Sequence, residues 1–192
     1  MRISDINDVE GKAARTCKGC IGQVIDETLR EHRWNCAIAR ATLSELAEGP
    51  GHGFGHAFQL PGDLLRLLEV NGEAFEASDE FYEVEEGKRL LTDASRVQIR
   101  YVRRIAVHEF DPLLGRAVAA ALAAEICIPL NLNVQMQAQL EGLKLRAIGR
   151  ARQVDAIETG SRENRPLERL RGQSPLINSR GSRREPLRFR LP

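Results

Sequence analysis

The stretch that decides the fold covers residues 111–158 and reads DPLLGRAVAAALAAEICIPLNLNVQMQAQLEGLKLRAIGRARQVDAIE. Asp111 can cap a helix, and Pro112 suits the first turn because its missing N–H would have no helical partner there. The residues that follow are almost entirely Leu, Ala, Ile and Val, so this helix should lie in the middle of the protein. Pro129 should end the helix, which predicts its span as about residues 112–128.

A second helix is predicted over about residues 133–157, with Asn131 or Asn133 as its cap. Its apolar residues recur at spacings of three, four and seven, which is the pattern of an amphipathic helix. The two helices should therefore form a hairpin in the core, and the second should pack through the apolar set Met136, Leu140, Leu143, Ala147 and Val154.

The first part of the chain predicts one more helix, followed by short strands. An apolar stripe from Val9 to Thr28 predicts a helix over about residues 9–33. Residues 34–108 then carry short alternating runs, and the pairs Asn71-Gly72 and Glu86-Gly87 are hairpin signals. The predicted fold class is α+β. An N-terminal helix and a C-terminal helical hairpin form a bundle, with an inserted small antiparallel β-sheet and an extended C-terminal tail.

Composition sets limits on the class of protein. The 192 residues suit one domain with an appendage, and 42% hydrophobic with only 5% aromatic residues predicts an aliphatic core. We expect no membrane partner, because we expect no run of the sequence to supply the ~18 apolar residues that a membrane span needs. The polar N-terminus has no signal-peptide pattern, so the four cysteines are expected as thiols in a reducing cytosol.

Charge divides the chain into an acidic body, residues 1–158, and a basic tail, residues 159–192. The tail holds nine Arg and three Glu, for a net charge of +6, and the body has a net charge of −5. The tail has too little apolar surface to fold alone, so we expect a partner to order it, either nucleic acid or an acidic protein surface. Its candidate interface residues are Arg162, Arg165, Arg169, Arg171, Arg180, Arg183, Arg184, Arg188, Phe189 and Arg190.

An acidic stretch lies between Leu67 and Gly87, where eight carboxylates occur without a Lys or Arg. One interpretation is the solvated face of a hairpin. The other is an acidic surface that receives a basic segment, such as a neighbour's tail, because charge complementarity sets the register between partners. The candidate residues of this acidic hairpin face are Glu73, Glu76, Asp79 and Glu80.

Catalytic and metal motifs are weak in this sequence. Cys17, Cys20, His32 and Cys36 have the spacing C-x2-C-x11-H-x3-C, which zinc sites use. The two first cysteines, however, fall on the apolar stripe of the predicted helix, which favours core cysteines. We find no phosphate-binding loop, no Gly-x-Ser-x-Gly and no pairing of a nucleophile with a base, so neither enzymatic activity nor a cofactor is expected.

Six short segments, in order along the chain, resemble one family. They are LREHRWNCAIARATL (29–43), FQLPGDLLR (58–66), LLTD (90–93), VQIRYV (97–102), FDP (110–112) and ARQVDA (151–156). Their order and spacing are similar to the phage tail tubular protein A family, the head-to-tail adaptors of short-tailed phages. The chain departs from that family at Cys36, where an aromatic residue is usual, and at Gly62, where an Ala or another residue stands. Cys36 should therefore occupy a core aromatic site.

The resemblance implies a structural virion protein without enzymatic activity. Its subunits would form a homo-oligomeric ring, typically a dodecamer, at the head–tail junction, after assembly in the host cytoplasm. The ring would join the portal protein to the tail nozzle or tube protein and line the channel used for DNA ejection, with no sequence-specific contact to the DNA. The alternative is a small regulatory protein that binds zinc through Cys17, Cys20, His32 and Cys36, and nucleic acid through its arginine tail.

Overall fold

The computed structural model describes residues 11–74, 82–131 and 133–159, with the side chains of residues 73 and 74 left out. These residues confirm an α+β fold. The chain divides into two compact units, Met1–Asp155 and Ala156–Pro192, and only the last turn of the final helix belongs to the described part of the second. In chain order the elements are α1 Lys12–Glu31, β1 Ile38–Thr42, β2 His56–Gln59, β3 Leu64–Val70, β4 Glu73–Ala74, β5 Tyr82–Glu85, β6 Arg89–Thr92, β7 Gln98–Arg103, α2 Pro112–Asn131 and α3 Val134–Thr159.

The insert between α1 and α2 forms two antiparallel sheets, where the sequence predicted one. The first has the strand order β1-β7-β3-β4 and the second β2-β6-β5. Both predicted hairpin turns are confirmed. Asn71 and Gly72 have φ values of 51° and 88°, and Glu86 and Gly87 have values of 52° and 64°. Positive φ at both central residues gives a turn whose twist matches that of the flanking strands.

Two clusters of buried side chains make up the core. The first joins the helices to the four-stranded sheet, with Leu29, Leu114 and Ile148 packed near Leu68 and Val102. The second lies between the sheets and contains Leu43, Phe58, Leu60, Val70, Leu90, Val97, Ile99 and Tyr101. The first cluster thus combines helix and strand residues, whereas no helix residue belongs to the second.

The start of α2 is as predicted, but its end is not. Asp111 Oδ1 accepts a hydrogen bond from the backbone N–H of Leu113 at 2.8 Å, and α2 begins at Pro112. At the other end, α2 continues through Pro129 to Asn131. A proline in the last turn removes only one backbone hydrogen bond, so the helix can run two residues further. The start of α3 is capped by Asn133, whose Oδ1 accepts from the N–H of Met136 at 3.0 Å.

α2 also corrects the expectation that no segment would be apolar enough to span a membrane. By length and composition alone it could cross one, with a mean hydropathy of 1.8 over its 18-residue window, a third of which is buried. Within the described residues it is a helix of the bundle. Its small side chains Ala117, Ala121 and Ala124 are buried, as are Val24 and Leu29 of α1. Small side chains on α2 allow helix backbones to approach closely.

α3 corrects the predicted packing of the C-terminal hairpin. Of its 26 residues only Ile148 and Ala151 are buried. Met136 and Leu143, from the set predicted to face the core, are 44% and 49% exposed. Ile148 lies about 140° around the helix from Leu143, because each residue turns the helix by about 100°. Ala147 of the predicted set does pack against the helical core cluster, but the two buried residues, Ile148 and Ala151, lie on the side of the helix next to the predicted stripe.

The ends of α1 also differ slightly from the prediction. The helix stops at Glu31, and His32 is already extended with φ −141° and ψ 164°. Residues 9 and 10, where the helix was predicted to begin, lie outside the described residues, and so does the tail from residue 160 onward.

Candidate assembly surface

A polar contact joins the end of α1 to the last part of α3. The backbone N–H of Asn35 donates to Asp155 Oδ1 at 2.8 Å, and Asn35 Nδ2 donates to the Asp155 carbonyl at 2.9 Å. His32 Nε2 lies 3.1 Å from the other carboxylate oxygen, Asp155 Oδ2. The Asp155 side chain is only 12% exposed. Both of its oxygens therefore contact a segment about 120 residues earlier in the chain and not water alone.

Trp34 lies next to this contact and is buried, with 1% of its surface exposed. Its Nε1–H donates to the backbone carbonyl of Thr28 at 2.8 Å, and its ring packs edge-on against His32 with a centroid separation of 4.8 Å. The indole therefore fills the corner where the chain leaves α1, and its one polar atom is satisfied, as burial requires.

Two of the segments that carry the family resemblance thus contact each other. Residues 29–43 supply His32, Trp34 and Asn35, and residues 151–156 supply Asp155. Cys36, in the first segment, is half-buried and packs against the helical core cluster. This position agrees with the prediction that Cys36 occupies a core site.

A groove between α2 and α3 carries three arginines. It has a volume of about 320 Å³, with Arg116 on one side and Arg146 and Arg150 on the other, and an apolar lining of Leu113, Ala120, Leu143 and Ala147. All three arginines are exposed. In the described part of the chain, none of them has a carboxylate within ion-pair distance, whereas Arg100, Arg103, Arg104 and Arg152 each have one.

α3 also carries exposed apolar side chains, some beside this groove and some on the opposite side of the helix. Met136 and Leu143 are seven residues apart, so they lie on one side of the helix, and Leu143 lines the groove. Val134 and Leu145, at 72% and 67% exposed, lie on the opposite side. α3 therefore exposes apolar side chains to water on two sides of the helix.

Of the predicted site residues only Glu73 lies within the described ranges, in β4. Three other carboxylates of the acidic stretch, Glu83, Glu85 and Glu86, are exposed on β5 and its turn. β5 is an edge strand of its sheet as far as the structure describes it. The other predicted residues lie outside the described ranges: Glu76, Asp79, Glu80, Arg162, Arg165, Arg169, Arg171, Arg180, Arg183, Arg184, Arg188, Phe189 and Arg190.

The four zinc candidates are not brought together. Cys17 is buried in the first half of α1, and His32 follows the end of the same helix. Fifteen residues of helix separate them by about 22 Å, whereas zinc ligands lie within about 2.3 Å of one ion. In the ranges that the structure describes, no three His, Cys, Asp or Glu side chains form a metal-binding group.

Comparison with known proteins gives no further assignment. No protein-family model matches the chain, and no curated protein matches it. The assignment to a function therefore depends on the residues and on the surface described above.

The arginine groove was not predicted from the sequence, although Arg150 lies seven residues after Leu143 and so shares its side of α3. The spacing was a usable signal for Arg150. Arg116 could not be found in this way, because its approach to α3 depends on how the two helices pack.

Two weak acids, the half-buried Cys36 and the buried Tyr101, predict how the free energy of unfolding changes as the pH rises. Burial raises the pKa of the Cys36 thiol above its ordinary value of 9.0. Burial, then the carboxylate of Asp63, which accepts the phenol hydrogen bond at 3.2 Å, raises the pKa of Tyr101 above 10.0. Both groups are neutral at low pH, and the unfolded chain loses these protons first as the pH rises. Their stabilisation is therefore complete below the unfolded pKa values and is lost as the pH passes the folded ones.

We expect a lower urea midpoint at about pH 10.5 than at about pH 8. The double variant Cys36→Ala with Tyr101→Phe removes both titrating groups and should lose less stability over the same interval. Circular dichroism at each pH measures the midpoints. An equal fall in the variant and in the original chain would contradict the assignment to these two residues.

Proposed function

We propose that this chain is a structural virion protein, a head-to-tail adaptor of the phage tail tubular protein A type. Its copies form a homo-oligomeric ring, a dodecamer by analogy with that family, between the portal and the tail nozzle or tube. The ring lines the DNA channel, and its subunits have no enzymatic role.

The observation that carries this proposal is the exposure of α3. A 26-residue helix with two buried residues leaves Met136, Leu143, Val134 and Leu145 in water in the isolated chain. Removing such side chains from water is favourable by about 25 cal/mol per Å² of apolar surface, and assembly results when this gain exceeds the entropy cost of association. In a ring, these side chains would be buried against a neighbouring subunit, or against the portal or tail protein that contacts the ring.

The charge distribution supplies the complementary faces that a ring needs. A ring uses heterologous contacts, in which two different faces of the subunit are complementary. This chain combines an acidic body with a basic tail, and within the body an acidic hairpin with an arginine groove. Each pair has the opposite charges that a heterologous contact needs.

The tail is proposed to dock on a neighbouring subunit or on the portal. Its arginines suit carboxylates because the planar guanidinium binds them through two parallel hydrogen bonds. Leu187, Phe189 and Leu191 supply apolar anchors at its end. The alternative for the tail is the DNA channel, where the same arginines would face phosphates.

The experiment is a truncation after Glu158. The shortened chain should remain folded by circular dichroism, because the helices and both sheets precede this point, but it should not join the portal or hold a closed ring in electron micrographs. A matched control retains the tail length but replaces its nine arginines by glutamine. This control should fail in the same way if the arginines make the contact. If the truncated chain still assembles with the portal and loses only DNA retention, the tail lines the channel instead.

A further inference from the structure

The groove between α2 and α3 has the chemistry of a binding site for carboxylates on an apolar segment. Arg146 and Arg150 are one turn apart on α3, and Arg116 faces them from α2. The groove floor is apolar, from Leu113, Ala120, Leu143 and Ala147. At about 320 Å³ it has room for a few side chains, not for a duplex. A nucleic-acid backbone would leave the apolar floor unused, whereas a peptide with acidic and apolar residues uses both parts.

The same chain carries a matching acidic segment. Residues 71–87 hold seven carboxylates and no Lys or Arg, and Phe75, Phe81 and Tyr82 are interleaved with them. In the described part of this segment, Glu83, Glu85 and Glu86 are exposed, and no Lys or Arg of the described ranges lies within ion-pair distance of them. The arginines of the groove lack a carboxylate in the same ranges.

We propose that the arginine groove of one subunit receives the exposed carboxylates of the β5–β6 hairpin, Glu83, Glu85 and Glu86, of the next subunit. This inference rests on the proposed ring and names one of its contacts. Each subunit then uses the groove toward one neighbour and the hairpin toward the other, which is the heterologous contact that closes a ring. Bidentate pairing between guanidinium and carboxylate fixes the register. The exposed Val84 of the same strand supplies an apolar side chain for the groove floor.

Charge reversal tests this contact. The groove variant carries Arg146→Glu with Arg150→Glu, and the hairpin variant carries Glu83→Arg with Glu85→Arg. All four residues are exposed, so circular dichroism should match that of the original chain. Each variant alone should associate at least about thirtyfold more weakly, because like charges meet at every contact. Mass photometry, with and without portal, measures the ring population.

The decisive sample is an equal mixture of the two variants. Each contact in an alternating ring then pairs opposite charges again, so the mixture should re-form rings that neither variant forms alone. The control variant Arg15→Glu with Lys18→Glu reverses two exposed charges on α1 and should leave the ring intact.

The possible results separate this inference from the proposed function. Rings that form equally well from the original chain and from both single variants overturn the groove contact and leave the adaptor role standing. A groove variant that keeps the ring but no longer retains a DNA duplex of about 30 base pairs shows that the arginines face phosphate, which also overturns the contact. A chain that stays monomeric with and without portal overturns both proposals.

Discussion

Replacing Trp34 by alanine should lower the free energy of unfolding by about 3–5 kcal/mol, the usual cost of removing a large buried aromatic side chain. The indole is 1% exposed and is packed among Leu29, Leu114 and Ile148 of three helices. Its removal leaves a cavity at the point where α1 meets the sheet, and the backbone there cannot collapse because Asp155 holds Asn35.

Urea unfolding followed by far-ultraviolet circular dichroism measures this loss, because the variant has no other tryptophan to report by fluorescence. The control Trp34→Phe keeps most of the volume but loses the hydrogen bond to the Thr28 carbonyl, and should cost about 1–3 kcal/mol. In the original chain we expect a blue-shifted emission maximum. Emission at the wavelength of free tryptophan in water would contradict the buried position.

Asp155→Ala should lower the free energy of unfolding by about 1–3 kcal/mol, the second largest effect that we expect. The variant removes the acceptor for the part-buried Asn35 N–H and for His32. Urea unfolding at neutral pH measures the change.

Two control variants interpret the Asp155 result. Asp155→Asn retains one side-chain oxygen for the Asn35 N–H and should lose less stability than the alanine variant. Glu158→Ala removes an exposed carboxylate three residues further along α3 and should change the free energy of unfolding by less than about 0.5 kcal/mol. If Asp155→Ala and Glu158→Ala had equal effects, the contact between α1 and α3 would contribute nothing to stability.

The sequence alone determined the features that depend on a few neighbouring residues. Asp111 and Pro112 start α2, Asn133 caps α3, and Asn71-Gly72 turns a hairpin. Each of these signals acts through backbone hydrogen bonds or φ values within about one turn, so the local residues suffice. The α+β class followed from the same local patterns. The charge split also followed from the sequence, but the docking of the tail and of residues 76–80 stays a prediction, because these residues lie outside the described ranges.

Only the tertiary structure decided which side of α3 faces inward. Its sequence offers apolar residues on more than one side, and periodicity cannot choose between them. Ile148 and Ala151 belong to the same buried cluster as Leu114 and Trp34, and Asp155 is held by Asn35, 120 positions earlier. The same packing left Met136 and Leu143 exposed and brought Arg116 to Arg146 and Arg150. These outcomes depend on contacts between segments that are far apart in the sequence. The free energy of such contacts depends on both segments, so the residues of α3 alone do not determine it.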